Sequence, residues 1–282
     1  MALLRIAEVF GHAVEDHTAQ AALDRKNKRC PFKNARCTKN GKSNPLAVCS
    51  MSDGQSLAAL CPIRFYESDR IFKDVGKIAF GEGREIVAAP EVHVLRVNKP
   101  SSGPNAKSHR VGKVDFLVAS IDDTGKPNDF VALEVQAVYF SGGSIRPGFK
   151  AYLKTGSVPN GFDRRPDWRS SAQKRLIPQL ALKVPIFRRW GKKFFVAVDS
   201  WFFDSLPRMK EASNYESGEI TWMVYSFTRQ ENAYPIQAPR IVHTTWDDVQ
   251  TALREGVPPT TAEVLGEVAR KLKQKKLPIL KT

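Results

Sequence analysis

Two apolar runs near the middle of the chain flank a stretch whose residues suit neither helix nor strand. Lys113 to Ser120 carries Val114, Phe116, Leu117 and Val118, and Phe130 to Gly143 carries Val131, Leu133, Val135 and Val138. Between them, Asp122 to Asp129 gathers Asp, Thr, Gly, Lys, Pro and Asn, which is turn chemistry, so residues 113–143 are predicted to form a β-hairpin. The second arm is apolar at odd and even positions alike, as in a strand covered on both faces. Its exceptions are Glu134 and Gln136. Polar groups set into a buried strand are costly unless used. Strand alternation turns Glu134 and Gln136 to one face, and Asp115 on the partner arm is placed to share it.

The rest of the chain is read by the same patterns. Leu3, Ile6, Phe10, Val14 and Ala21 to Leu23 recur near 3.6 residues and predict a helix over 1–24. Residues 67–80 form an amphipathic helix, and Glu91 to Val97 alternates as a strand. A long basic loop is expected over Ser144 to Arg169, then a helix over 170–189 interrupted at Pro178 and Pro185. Lys193 to Ser200 and Glu219 to Phe227 read as buried strands. Two closing helices start at Thr245 with Asp248 and at the capping box Thr260 with Glu263. Three parts are expected: an N-terminal helix over 1–24, a cysteine-bearing region over 25–66, and the remainder over 67–282.

Charge and cysteines change this picture. A formal net charge of +15 over 282 residues points to a polyanionic partner, nucleic acid ahead of an acidic membrane surface. No apolar run reaches the length of a membrane span and no secretory pattern is present, so a cytoplasmic, bacterial-type protein without membrane partners is expected. All 4 cysteines, Cys30, Cys37, Cys49 and Cys61, fall in one region, and Arg25 to Lys42 is basic without a single acid. In a reducing compartment such a cluster is a metal site rather than a set of disulfides. Four thiolates on Gly-, Pro-, Ser- and Asn-rich loops suit tetrahedral Zn²⁺ or iron, and the spacing leaves the metal open. Asp115, Glu134 and Gln136 form a different kind of donor set. Two carboxylates and an amide converging at a buried strand edge suit a hard cation with oxygen ligands, commonly Mg²⁺.

The order helix, strand, strand, strand, helix, strand, with acids on the second and third strands, resembles the αβββαβ core of restriction-endonuclease-like α/β nucleases. Their usual signature is an Asp followed, on the next strand, by Asp/Glu-x-Lys; here Glu134-Val-Gln136 departs from it. That departure joins Cys30-Pro-Phe, Cys37-Thr-Lys, Cys49-Ser, Cys61-Pro-Ile-Arg-Phe65, Gly112-Lys-Val-Asp115-Phe and Ala132-Leu-Glu-Val-Gln-Ala-Val-Tyr to resemble the NotI family of type II restriction endonucleases. The resemblance implies Mg²⁺-dependent, sequence-specific hydrolysis of double-stranded DNA by a homodimer on a palindromic site, paired with a cognate DNA methyltransferase. It implies that Asp115 and Glu134 ligate Mg²⁺, that Gln136 replaces the lysine, and that Glu91 is a fourth acid of the catalytic set. It also implies that the four cysteines hold one structural iron ion, with Zn²⁺ the alternative. Gln136 takes up no proton near neutral pH, so it orients water or phosphate and leaves the base to another group. Two other classes share these features: a repair or recombination nuclease of the same fold, and a DNA-binding regulator that has lost catalysis.

Overall fold

A computed structural model describes residues 4–41, 43–54, 57–98, 108–142, 144–158, 164–167, 171–254 and 258–275. The chain opens with a hairpin of β1 (Arg5–Val9) and β2 (His12–Ala13), helix α1 (Ala19–Asn27), the ribbon β3 (Arg29–Cys30) and β4 (Ala35–Arg36), and the pair β5 (Val48–Ser52) and β6 (Leu57–Ala59). A 3-10 segment, Pro62–Asp69, leads into α2 (Arg70–Phe80) and the long strands β7 (Ile86–Asn98), β8 (Ser108–Ile121) and β9 (Pro127–Val135). Next come β10 (Phe140–Gly142), α3 (Arg146–Thr155), β11 (Arg164–Pro166), α4 (Ile177–Arg189) and β12 (Phe194–Asp199). The single turn α5 (Ser200–Phe203), β13 (Ile220–Tyr225), β14 (Arg240–Thr244), α6 (Trp246–Arg254) and α7 (Thr261–Lys275) follow.

The main sheet has the order β14-β13-β12-β9-β8-β7. β7, β8 and β9 form an antiparallel meander, β12 lies parallel to β9 and to β13, and β14 closes the edge antiparallel. β12 is buried along its whole length and β9 from Val131 to Val135, so apolar residues at consecutive positions serve both faces. On one face α2 sets Ile71 and Val75 against Val118, Leu133, Val135 and Phe195. On the other, α4 sets Leu180, Val184 and Phe187 against Ala132, Phe194 and Val196. Gly76 lets α2 lie close on β7, since a Cβ there would stand 2.8 Å from Ile86 Cδ1. This mixed α/β arrangement is consistent with a restriction-endonuclease-like fold. No described helix is long and apolar enough to cross a membrane.

Three sequence expectations change. The helix over 1–24 gives way to strands: β1 pairs antiparallel with β5, Ile6 opposite Met51, in a sheet of order β2-β1-β5-β6. Phe10 and Gly11 take positive φ (52° and 80°), which turns the chain into β2 where a helix would have run on. A helix forms only from Ala19, capped by the Thr18 hydroxyl. The apolar residues read as a helix stripe, Ile6, Phe10 and Val14, are buried with Cys30 and Cys37 in one core, so residues 4–24 do not stand apart from the cysteine region.

The basic loop over 144–169 contains α3, whose Phe149 and Tyr152 pack into that same core; the Tyr152 hydroxyl donates to Val14 O at 3.1 Å. Arg146, Lys150 and Lys154 follow one another at four-residue spacing along α3. Residues 159–163 and 168–169 of the expected loop, and residue 170 of the expected helix, lie outside the described residues. The expected helix over 170–189 is helical through both prolines over its described part, residues 171–189. A π-helical turn, Ala172–Leu176, leads directly into Pro178, and Pro185 is exposed. The capping box on α7 forms as expected, with Thr260 N–H on Glu263 Oε2 at 2.7 Å and Glu263 N–H on Thr260 Oγ1 at 3.3 Å.

Arg64, from the Cys61-Pro-Ile-Arg-Phe stretch, ties the two sheets together. It is buried, donates through Nε to Glu8 Oε2 at 2.8 Å and through Nη1 to Glu67 Oε2 at 2.6 Å, and bonds Tyr234 O. The rings of Phe32 and Phe227 each lie 4.5 Å from its guanidinium carbon. Arg64→Ala would leave Glu8, only 2% exposed, without its counter-charge, with the Ser50 hydroxyl still donating to Oε2 at 2.6 Å. Breaking a buried pair from one side costs about 3–5 kcal/mol. Urea unfolding of Arg64→Ala should show a loss in that range; a loss below about 1 kcal/mol would contradict this account.

Candidate active site

β8 and β9 run antiparallel with Phe116 opposite Leu133, so the next step along the register sets Asp115 across from Glu134. There the backbone ladder gives way to side chains. Asp115 N–H donates to Glu134 Oε1 at 3.2 Å, and Val135 N–H donates to Asp115 Oδ2 at 2.9 Å. Each acid thereby receives a backbone donor of the opposite strand.

The hairpin's second arm is shorter than its apolar run suggests, because β9 ends at Val135 rather than near Gly143. Gln136 N–H still donates to Ala197 O at 2.9 Å, but Val138 N–H turns to Ala59 O at 2.9 Å and Tyr139 N–H to Ser171 Oγ at 2.8 Å. Gln136 follows directly after the strand, and its amide Nε2 donates to Ala137 O at 2.5 Å. Glu91 lies opposite Asp115 on the other side, between the pairs Pro90–Phe116 and Val92–Val114. The three acids therefore form one row across β7, β8 and β9. Glu91 differs from the other two: it is exposed at positive φ (56°), and its carboxylate pairs with Lys113 Nζ at 2.7 Å.

One residue of this site escaped the sequence reading. Lys183 of α4 donates from Nζ to Glu134 Oε1 at 2.5 Å and to Gln179 Oε1 at 3.0 Å, with the Lys183 and Glu134 side chains each 4% exposed. A signal existed. Lys183 falls three residues after Leu180 and four before Phe187, on the apolar stripe of its helix, where a lysine is out of place unless paired.

Burial dominates the electrostatics. The Glu134 carboxyl is pushed up to about 7, first by desolvation and then by the neighbouring Asp115 charge, with Lys183 pulling the other way. Asp115 is also raised by burial, against the Val135 N–H bond and the charges of Lys183 and Lys113. Glu134 Oε2 and Asp115 Oδ1 bond to no described residue. Two oxygens, one from each carboxylate, are a fitting start for a hard cation that completes its shell with water.

A cavity of about 650 Å³ opens beside this row. Asp115, Gln136, Tyr139, Lys174, Arg175 and Gln179 line it, and so do all four cysteines. Cys30, Cys37 and Cys49 are buried, Cys61 is half-buried, and all are free thiols. Burial raises the Cys30 thiol and raises Cys49 well above the usual range, with neighbouring thiols adding to both. The donor set suits a soft or borderline metal, although among the described residues no three His, Cys, Asp or Glu side chains are arranged as a group that could hold an ion. The thiols share the cavity without closing on a point.

The family model described as Restriction endonuclease NotI matches residues 8–238, which takes in the cysteines, the row of acids and Lys183. No curated protein matches the chain.

The cysteine region meets the acid-bearing strands through Ala59. Its carbonyl accepts Val138 N–H, and its N–H donates at 2.8 Å to Asp199 Oδ2, at the end of β12. Asp199 is fully buried, also accepts Phe202 N–H at 2.7 Å, and is pushed up to about 7, chiefly by desolvation. A carboxyl that binds its proton more tightly folded than unfolded stabilises the fold at low pH and loses that contribution as pH rises from about 4 toward 7. The melting temperature of the wild type relative to Asp199→Asn should therefore fall between pH 5 and pH 8. A difference that stays flat or grows over this range would contradict the buried, proton-retaining carboxyl.

Proposed function

The chain belongs to the NotI restriction endonuclease family, and we propose that it is a Mg²⁺-dependent type II restriction endonuclease. In this reading a homodimer cuts both strands of double-stranded DNA at a palindromic site. The observation that carries it is the meeting of Asp115 and Glu134 on neighbouring strands, with Asp115 lining a cavity wide enough to admit more than water. Two desolvated carboxylates, each with one oxygen that bonds to no described residue, suit a divalent cation better than they suit each other.

Asp115 and Glu134 would hold Mg²⁺. When bound, the ion lowers the pKa of water and neutralises charge on the scissile phosphate. Asp115, Gln136, Lys174 and Arg175 border the same cavity, which supports a reading in which the two cations bind phosphate beside Asp115. Gln136 carries no charge and orients water or phosphate through its amide. Glu91 enters this reading as an outer acid, released from Lys113 when DNA or a cation draws on either partner. The +15 charge and the basic residues of α3 favour a DNA backbone, and the host genome then needs a methyltransferase to protect the same sites. Two-fold symmetry of a palindrome favours a two-fold dimer.

Cys30, Cys37, Cys49 and Cys61 are read as ligands of one structural metal ion, iron by the family resemblance and zinc as the alternative. Such a site contributes folding free energy rather than chemistry. Elemental analysis of purified protein should find one iron or zinc per chain, and Cys49→Ala should lower both metal content and folded yield. Metal-free protein that melts as the loaded protein does would remove the proposal.

The catalytic reading is tested by single-turnover cleavage of a long unmethylated DNA of known sequence. Asp115→Ala and Glu134→Ala should each slow cleavage in Mg²⁺ by more than about a hundredfold, while gel-shift binding in Ca²⁺ is kept or strengthened. Gln136→Ala should slow cleavage without abolishing it. Discrete fragments are expected from the wild type. Wild-type rates in either alanine variant would place the chemistry elsewhere.

A further inference from the structure

Lys183 sits where its helix needs an apolar side chain. α4 rests on the sheet through Leu180, Val184 and Phe187, and Lys183 is buried among them. A buried ion pair of this kind commonly adds nothing to stability over well-packed apolar side chains, because both charges must leave water. Stability is therefore a poor reason for its presence, and its contacts suggest a better one. Glu134 Oε1 receives Lys183 Nζ at 2.5 Å and Asp115 N–H at 3.2 Å, so two donors hold that oxygen while Oε2 bonds to no described residue. Gln179, one helical turn earlier, braces the ammonium at 3.0 Å and itself borders the cavity beside Asp115 and Gln136. Among the described residues, Lys183 is the one cation bonded to either acid.

We propose that Lys183 is a positioning residue of the candidate active site: its ammonium, braced by Gln179, fixes Glu134 in one rotamer and offsets the repulsion between Glu134 and Asp115. This rests on the nuclease reading given above. The free oxygens of the two acids are thereby held ready for one divalent cation, before any cation arrives. The charge comes from a helix packed under the strands, whereas the polar side chain following Glu134 along the chain, Gln136, is neutral. Lys183 acts through Glu134 and need not touch DNA.

The test compares wild type, Lys183→Met, Lys183→Arg and Gln179→Ala. Single-turnover rates on a long unmethylated DNA are measured across Mg²⁺ concentrations and normalised to the folded fraction, with DNA binding in Ca²⁺ and melting followed in parallel. Lys183→Met should lose at least about thirtyfold in rate at saturating Mg²⁺ and shift the half-saturating Mg²⁺ concentration severalfold, with DNA binding within about threefold of wild type. Lys183→Arg, which keeps the charge, should recover part of the rate. A folded Lys183→Met that cleaves like wild type, with an unchanged Mg²⁺ requirement, overturns the proposal. So does a loss that vanishes on normalising to folded protein. If Lys183→Met does not fold, Gln179→Ala decides: a rate reduced severalfold at unchanged melting upholds the proposal, and a wild-type rate overturns it. A wild type that cuts no DNA in Mg²⁺ is a different failure, that of the nuclease reading itself.

Discussion

Two carboxylates on neighbouring strands, withdrawn from bulk water at the end of β9, set the terms for everything around them. Like charges in a medium of reduced dielectric repel more strongly than in water, and each alone is penalised by burial. The surroundings answer both costs. Asp115 takes the Val135 N–H, and Glu134 takes the Asp115 N–H and the Lys183 ammonium. β9 can afford this because it is covered on both faces, by α2 on one side and α4 on the other, so its backbone is held while its ladder is interrupted. What remains is electrostatic: burial and the neighbouring Asp115 charge both raise the Glu134 carboxyl.

The N-terminal sheet forms the second wall of the same cavity rather than a separate appendage. Its attachment is polar and specific. Arg64 joins Glu8 of β1 to Glu67 of the 3-10 segment and to Tyr234 O beyond β13, between two aromatic faces. Ala59 is bonded through its N–H to Asp199 and through its carbonyl to Val138. Any shift of the thiol-bearing loops is therefore transmitted to the segment that carries Gln136.

Charge is arranged in layers. Acids form a row across β7, β8 and β9, Lys183 is buried against Glu134, and Lys174 and Arg175 stand exposed at the cavity's border. α3 carries further basic residues beside the cysteine-region core. A strongly positive exterior around a small acidic centre attracts a polyanion and leaves a local place for a cation.

Much of the main sheet was legible in the sequence. Period-two and two-faced apolar runs, punctuated by Gly, Pro, Asn and Asp, marked β8, β9, β12 and β13, and polar residues inside a buried run marked Asp115 and Glu134. These signals are local: they need only residues a few positions apart. The failures share the opposite cause. Ile6, Phe10 and Val14 fit a helix stripe, yet β1 pairs with β5, more than forty residues away, and no local pattern contains that partner. β9 stops at Val135 because Val138 finds Ala59, again a distant group. Lys183 went unread, since its meaning depends on Glu134, 49 positions earlier. Local chemistry determined which strands exist and which acids are expensive. Only the tertiary structure decided which cation answers them, because that contact is fixed by how a helix lies on the sheet and not by its neighbours along the chain.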